Sequence, residues 1–95
     1  MDMSVAEPQR HSVNDAIDAL ERVLQALTSD SARDKALYHL GRLRMAVAAS
    51  HQEGVRFAAF TINKTIRDAG SSWGPTPLEA MTTLREALHA TGYEF

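Results

Sequence analysis

Apolar residues recur every three or four positions along most of the chain, which is the spacing of helices with one buried face. Four such stretches stand out, and we predict helices over residues 13–28, 32–48, 51–69 and 77–91. The clearest stripe lies in the first stretch and consists of Val13, Ile17, Leu20, Leu24 and Leu27. The pattern predicts an all-α fold, a small antiparallel bundle of about four helices.

A Ser or Thr followed three positions later by an acidic residue precedes each stretch, as expected at a helix N-terminus. These pairs begin at Ser12, Ser31, Ser50 and Thr76. The last is the most specific, because Glu79 completes a capping box and Pro77 lies at the first helical position, where its missing N–H has no cost. Gly70 and Gly92 are expected to end the third and fourth helices in a left-handed conformation.

The boundary between the second and third helices stays open at this level. No Gly, Asn or Pro precedes Ser50 as a stop signal, so helices 2 and 3 are either one long helix bent near Gly54 or two helices joined by a corner. The segment Val55–Ile62 is rich in aromatic and β-branched residues, as in a strand. Its alternation breaks midway and no second strand candidate exists, so we predict helix there.

The composition is that of one folded domain. The chain has 95 residues, 44% of them hydrophobic and 23% charged, which suits a single modest core. Residues 1–11 lack apolar periodicity and are predicted to form a flexible N-terminal arm, and residues 12–95 a single helical domain. No apolar run approaches the roughly 20 residues of a membrane span, and no signal peptide is recognisable. We therefore expect a cytoplasmic protein without a membrane partner.

The sequence offers little catalytic or metal chemistry. It has no cysteine, which removes disulfides, thiolate nucleophiles and Cys-based metal sites. It contains no Gly-rich phosphate loop, Gly-x-Ser-x-Gly or His-Glu-x-x-His motif. Glu86 and His89 have the spacing used in di-metal bundles, but the second such pair is missing. We predict no catalytic residue, metal or cofactor, and leave open only an enzyme assembled from scattered residues.

His39 lies midway along the second predicted helix, in the segment Ala36–Arg42. A histidine followed by a small residue and a base resembles histidine phosphotransfer bundles, over a few residues only and with a departure at the basic position. That resemblance implies an imidazole exposed on a helix face, with the glycine leaving room for a response regulator. His39 is thus an alternative phosphoacceptor. A packing histidine at the edge of the apolar stripe explains the same pattern.

Charge is distributed unevenly along the chain. Residues 1–32 carry −4, residues 33–67 carry +5 and residues 68–95 carry −3, which gives the net charge of −2. The basic segment 33–67 suggests nucleic-acid binding, with Phe57 and Phe60 available for stacking on bases. The candidate contacts are Arg42, Arg44, Arg56, Lys64 and Arg67. Compensation by the acidic first and fourth helices is the alternative.

The third helix has apolar residues on two faces. One stripe suits the core, whereas Phe57 and Phe60 lie off it as neighbours three positions apart. Exposed aromatic residues mark interfaces, and we predict a non-catalytic interaction or regulatory module that self-associates, as a homodimer, or binds another protein. Its predicted surface has Phe57, Phe60 and Trp73 as apolar anchors and Arg56, Lys64 and Arg67 as flanking charges.

Overall fold

A computed structural model describes the backbone of residues 3–93 and the side chains of residues 12–93. Its four α-helices, with a short 3₁₀ turn over Gly70–Ser72, are α1 Met3–Gln25, α2 Ser31–Ala48, α3 Gln52–Ala69 and α4 Thr76–Ala90. The described residues contain no strand, and Val55–Ile62 is helical. The predicted all-α bundle is confirmed.

The helices enclose one core to which all four contribute. α1 packs mainly on α4 and α2 mainly on α3, while smaller α1–α2 and α3–α4 contacts close the bundle. The predicted stripe of α1 supplies Ile17, Leu20 and Leu24, which are fully buried. Leu27 only packs against the edge of this core. Burial of such side chains contributes roughly 1.5–3 kcal/mol each, so this stripe is what holds α1 in place.

The first helix begins earlier than predicted. α1 starts at Met3, so Ser12 lies within the helix and is not its N-cap. The continuous helical backbone explains the difference, because the N–H groups near Ser12 bond to the preceding turn and need no cap. The sequence predicts a flexible arm over residues 1–11. The side chains of these residues lie outside the described part of the chain, so the mobility of the arm stays a prediction.

α2 and α3 are two helices, so the alternative of one long bent helix is wrong. Three residues form the corner between them, and Ser50 at its centre has φ 54°. The N–H of Ser50 donates to the carbonyl of Val47, and that of His51 donates to the carbonyl of Ala46. These two bonds form a Schellman motif, in which a residue with positive φ satisfies the last carbonyls of a helix.

The N-caps of α2 and α3 each lie one residue from the predicted position. Asp30 caps α2, where its carboxylate accepts a hydrogen bond of 2.8 Å from the N–H of Arg33. At α3 the cap is His51, whose Nδ1 accepts from the N–H of Gly54 at 2.8 Å. Ser50 cannot serve there because its positive φ belongs to the end of α2, whereas a cap needs an extended backbone.

The predicted capping box at α4 is not formed. Pro75 takes the N-cap position with helical φ and ψ and makes no side-chain cap hydrogen bond. Because the chain enters the helix one residue early, Thr76 no longer has the extended geometry from which its hydroxyl would reach a free N–H. Pro77 is buried, so packing rather than a cap fixes the start of α4.

Candidate interaction surface

The side of α3 that faces away from the core carries two large exposed aromatic residues. Phe57 and Phe60 are 64% and 63% exposed. Because side chains three and four positions apart share a helix face, they lie beside exposed charged residues of the same helix. We call this surface the outer α3 face, and it consists of Glu53, Arg56, Phe57, Phe60, Lys64 and Arg67.

α2 adds two more exposed apolar side chains. Tyr38 is 61% and Met45 is 71% exposed. Met45 and Phe57 line opposite sides of one groove between α2 and α3, with a volume of about 290 Å³. The apolar surface of α3 is therefore continuous with that of α2. The sequence analysis does not single out Tyr38 and Met45. Their spacing of seven residues, off the buried stripe of α2, nevertheless indicates that they share one exposed face of that helix.

His39 forms part of the wall of this groove. Its ring meets the ring of Tyr38 edge-on at 5.1 Å between centroids, and that of Phe57 at 6.0 Å. Its Nδ1 is buried and has no hydrogen-bond partner. Burial lowers the pKa of His39 below its ordinary value of 6.5, and the positive charges of Lys35 and Arg42 lower it further. The neutral imidazole is therefore favoured, and the role of His39 as a phosphoacceptor stays a prediction.

Gly54, at the start of α3, lines this groove and lies close to α2. A Cβ on Gly54 would lie 2.8 Å from Nδ1 of His51 and 3.2 Å from Cβ of Ala46. A side chain at this position would displace the capping imidazole and would require Ala46 on α2 to shift by a few tenths of an ångström. The close approach of the two helices at the corner therefore depends on glycine at this position.

The three cations of the outer α3 face are exposed to solvent. Lys64 donates a hydrogen bond of 2.9 Å to Asp68, one turn further along, and this bond holds the pKa of Asp68 below its usual range. Arg56 and Arg67 are exposed. Arg42 on α2 lies over the ring of Tyr38 at 6.0 Å, a cation–π contact at the border of the apolar surface.

Arg44 lies apart from the other predicted nucleic-acid contacts. Its guanidinium bonds to Asp18 at 2.8 Å and to Glu21 at 3.0 Å, both on α1. Two positions along a helix turn a side chain by about 200°, so Arg44 and Arg42 point to different sides of α2. The structure therefore groups three of the five predicted contacts on the outer α3 face, which are Arg56, Lys64 and Arg67.

Trp73 does not join the outer α3 face. It is partly buried and packs against the edge of the core in the connection to α4. Its position could not be predicted from the sequence, because an aromatic residue in a loop follows no periodicity. The apolar part of the candidate surface is thus Tyr38, Met45, Phe57 and Phe60.

Neither a metal site nor a membrane span can be recognised in the described part of the chain. Its His, Asp and Glu residues form no group of three that could hold a metal ion. None of its helices is both long and apolar enough to cross a bilayer. Comparison with protein-family models, curated proteins and solved structures finds no match to this chain. Its own surface is therefore the guide to its function.

Proposed function

We propose that this protein is a non-catalytic interaction module that associates with a second copy of itself through the outer α3 face. The observation that carries the proposal is the exposure of Phe57 and Phe60, both above 60%, on one helix face. Isolated exposed apolar residues are ordinary, but adjoining large ones mark contact surfaces. Tyr38 and Met45 extend the same surface across α2.

Self-association suits this surface for an energetic reason. In a two-fold dimer each apolar residue of the surface is present once in each subunit, so its burial is counted twice. Burial of a large apolar side chain contributes roughly 1.5–3 kcal/mol, against an association cost of about 4–15 kcal/mol. Two pairs of phenylalanines together with the tyrosine and methionine of α2 bring the gain into the range of that cost. The bordering arginines keep the surface soluble in the monomer.

The proposal is tested by the oligomeric state in solution. Sedimentation velocity at micromolar concentrations is expected to show a species larger than the 10.4 kDa monomer. Phe60→Asp buries a charge in the contact and is expected to give a monomer with unchanged helical content. Leu78→Asp is the control, because Leu78 is an exposed apolar residue of α4, outside this surface. A wild-type chain that stays monomeric at about 100 μM would overturn the proposal.

The absence of cysteine suits a reducing compartment, and we propose the cytoplasm as the place of action. Nucleic-acid binding through Arg42, Arg44, Arg56, Lys64 and Arg67 stays an alternative. The grouping of Arg56, Lys64 and Arg67 on one exposed face favours it, whereas the two carboxylates that bind Arg44 count against it.

A further inference from the structure

Four exposed residues of α3 form a ridge whose spacing is the same from either end and whose two ends are oppositely charged. Glu53, Phe57, Phe60 and Lys64 follow one another at intervals of four, three and four residues. At 3.6 residues per turn they occupy a sector of about 60°, roughly 16 Å long. All four are exposed. The two aromatic residues lie at the centre, and the two ends carry opposite charges.

From this symmetry we infer that α3 pairs with α3 of a second copy in antiparallel orientation. Phe57 then packs against the partner's Phe60, and Glu53 faces the partner's Lys64. The two-fold axis repeats each contact, so the dimer gains two aromatic pairs and two ion pairs from one short ridge. This inference rests on the proposed self-association and specifies its geometry.

The charges disfavour the parallel, in-register arrangement of the same two helices. Parallel pairing in register sets Glu53 against the partner's Glu53 and Lys64 against the partner's Lys64, and like charges across an interface are unfavourable. Antiparallel pairing turns both repulsions into attractions. The aromatic contact is similar in either orientation, so the end charges decide the direction.

One pair of like charges works against this register. Arg56 lies on one flank of the ridge, and antiparallel pairing places it on the same side as the partner's Arg56, roughly 7 Å away along the helix axis. The two ion pairs between Glu53 and the partner's Lys64 outnumber this one repulsive pair. Lys64 already donates to Asp68 at 2.9 Å, and its ammonium has three donors, so it can also donate to the carboxylate of the partner's Glu53 without giving up that bond.

Two charge reversals test the pairing directly. Glu53→Lys leaves a lysine at both ends of the ridge, and Lys64→Glu leaves a glutamate at both ends. Each variant alone is expected to weaken the dimer about ten-fold or more, because both ion pairs become repulsive. An equimolar mixture of the two is expected to form a heterodimer within about three-fold of wild-type affinity, since every lysine then faces a glutamate. Sedimentation equilibrium measures all three constants.

The controls separate pairing from helix stability. Glu79→Lys removes a first-turn acidic residue of α4, as Glu53→Lys does in α3, and Arg22→Glu reverses an exposed cation of α1. Neither is expected to change dimerisation, alone or mixed. Recovery on mixing also shows that both ridge variants fold.

The outcomes distinguish the two proposals. A monomeric wild type overturns the proposed function together with the pairing. A wild-type dimer whose single variants associate normally, or do not recover on mixing, overturns the antiparallel pairing and leaves self-association standing. Dimerisation that the mixture restores supports both.

Discussion

His39 combines a buried nitrogen with a cationic neighbourhood. Its Nδ1 has no hydrogen-bond partner, and an unsatisfied buried polar atom costs about 1–3 kcal/mol. Protonation adds to that cost, because burial, Lys35 and Arg42 all disfavour the imidazolium and so lower the pKa of His39. The aromatic contacts with Tyr38 and Phe57 hold the ring in place despite this cost.

This environment makes the stability of the fold depend on pH. Since the folded chain has the lower His39 pKa, the unfolded chain takes up the proton more readily as pH falls below the ordinary value of 6.5. The free energy of unfolding is therefore expected to decrease between about pH 7.5 and about pH 5.5, and His39→Phe is expected to reduce that decrease. Urea midpoints at one fixed protein concentration measure both. Equal decreases in wild type and variant would contradict the assignment.

At the scale of single residues, periodicity predicted burial well and polar detail poorly. Phe57 and Phe60 lie off the buried stripe in the sequence and on the exposed side of α3 in the structure, because helical geometry alone decides the face. The cap of α3 could not be predicted, since His51 is a cap only after Ser50 has turned to positive φ. Such short-range competition between two neighbouring residues leaves no regular pattern in the sequence.

At the scale of helices, α2 and α4 end in the same motif but have different residues at its positive-φ position. α2 ends in a Schellman motif at Ser50 with φ 54°, and α4 ends in one at Gly92 with φ 103°. In the second the N–H of Tyr93 donates to the carbonyl of Leu88 at 3.1 Å. The sequence predicted the end at Gly92, because glycine adopts positive φ without strain. It predicted the second helix over residues 32–48 but left the break at Ser50 open, because a serine rarely marks such a turn.

The difference between these two ends can be measured. Ser50→Gly is expected to raise the free energy of unfolding by about 0.5–1 kcal/mol, because glycine adopts a positive φ without the steric strain that the Cβ of serine causes. Gly92→Ala is the matched opposite and is expected to lower it by about 1 kcal/mol. Thermal unfolding should show shifts of opposite sign, of about 4 °C each. A fall in melting temperature for Ser50→Gly would show that the corner does not carry this strain.

Connections between helices also use polar side chains that periodicity does not reveal. Arg33 at the start of α2 donates to the carbonyl of Leu24 at 3.0 Å and to that of Gln25 at 3.4 Å. A cation at a helix C-terminus satisfies free carbonyls and favours the helix dipole. The arginine that the sequence shows only as part of a basic segment thus joins α2 to the end of α1.

At the scale of the whole molecule, the acid–base–acid order of the chain becomes a division between two sides. α1 and α4 carry six of the twelve acidic residues, and α2 and α3 carry seven of the ten basic ones. Part of the positive charge is used across the α1–α2 boundary, where Arg44 bonds to Asp18 and Glu21. What remains on the outer α3 face is a few cations around an apolar centre.

This charge distribution leads to different expectations for self-association and for nucleic-acid binding on a heparin column. Because two carboxylates neutralise Arg44 and the net charge is −2, we expect the protein to pass through a heparin column at about 0.15 M salt without retention. A phosphate-binding protein would instead be retained, with a steep loss of retention as salt rises. In that case Arg56→Glu should abolish retention and Arg22→Glu, on α1, should not. Steep salt-dependent retention that Arg56→Glu removes would make the basic face, rather than its phenylalanines, the working surface.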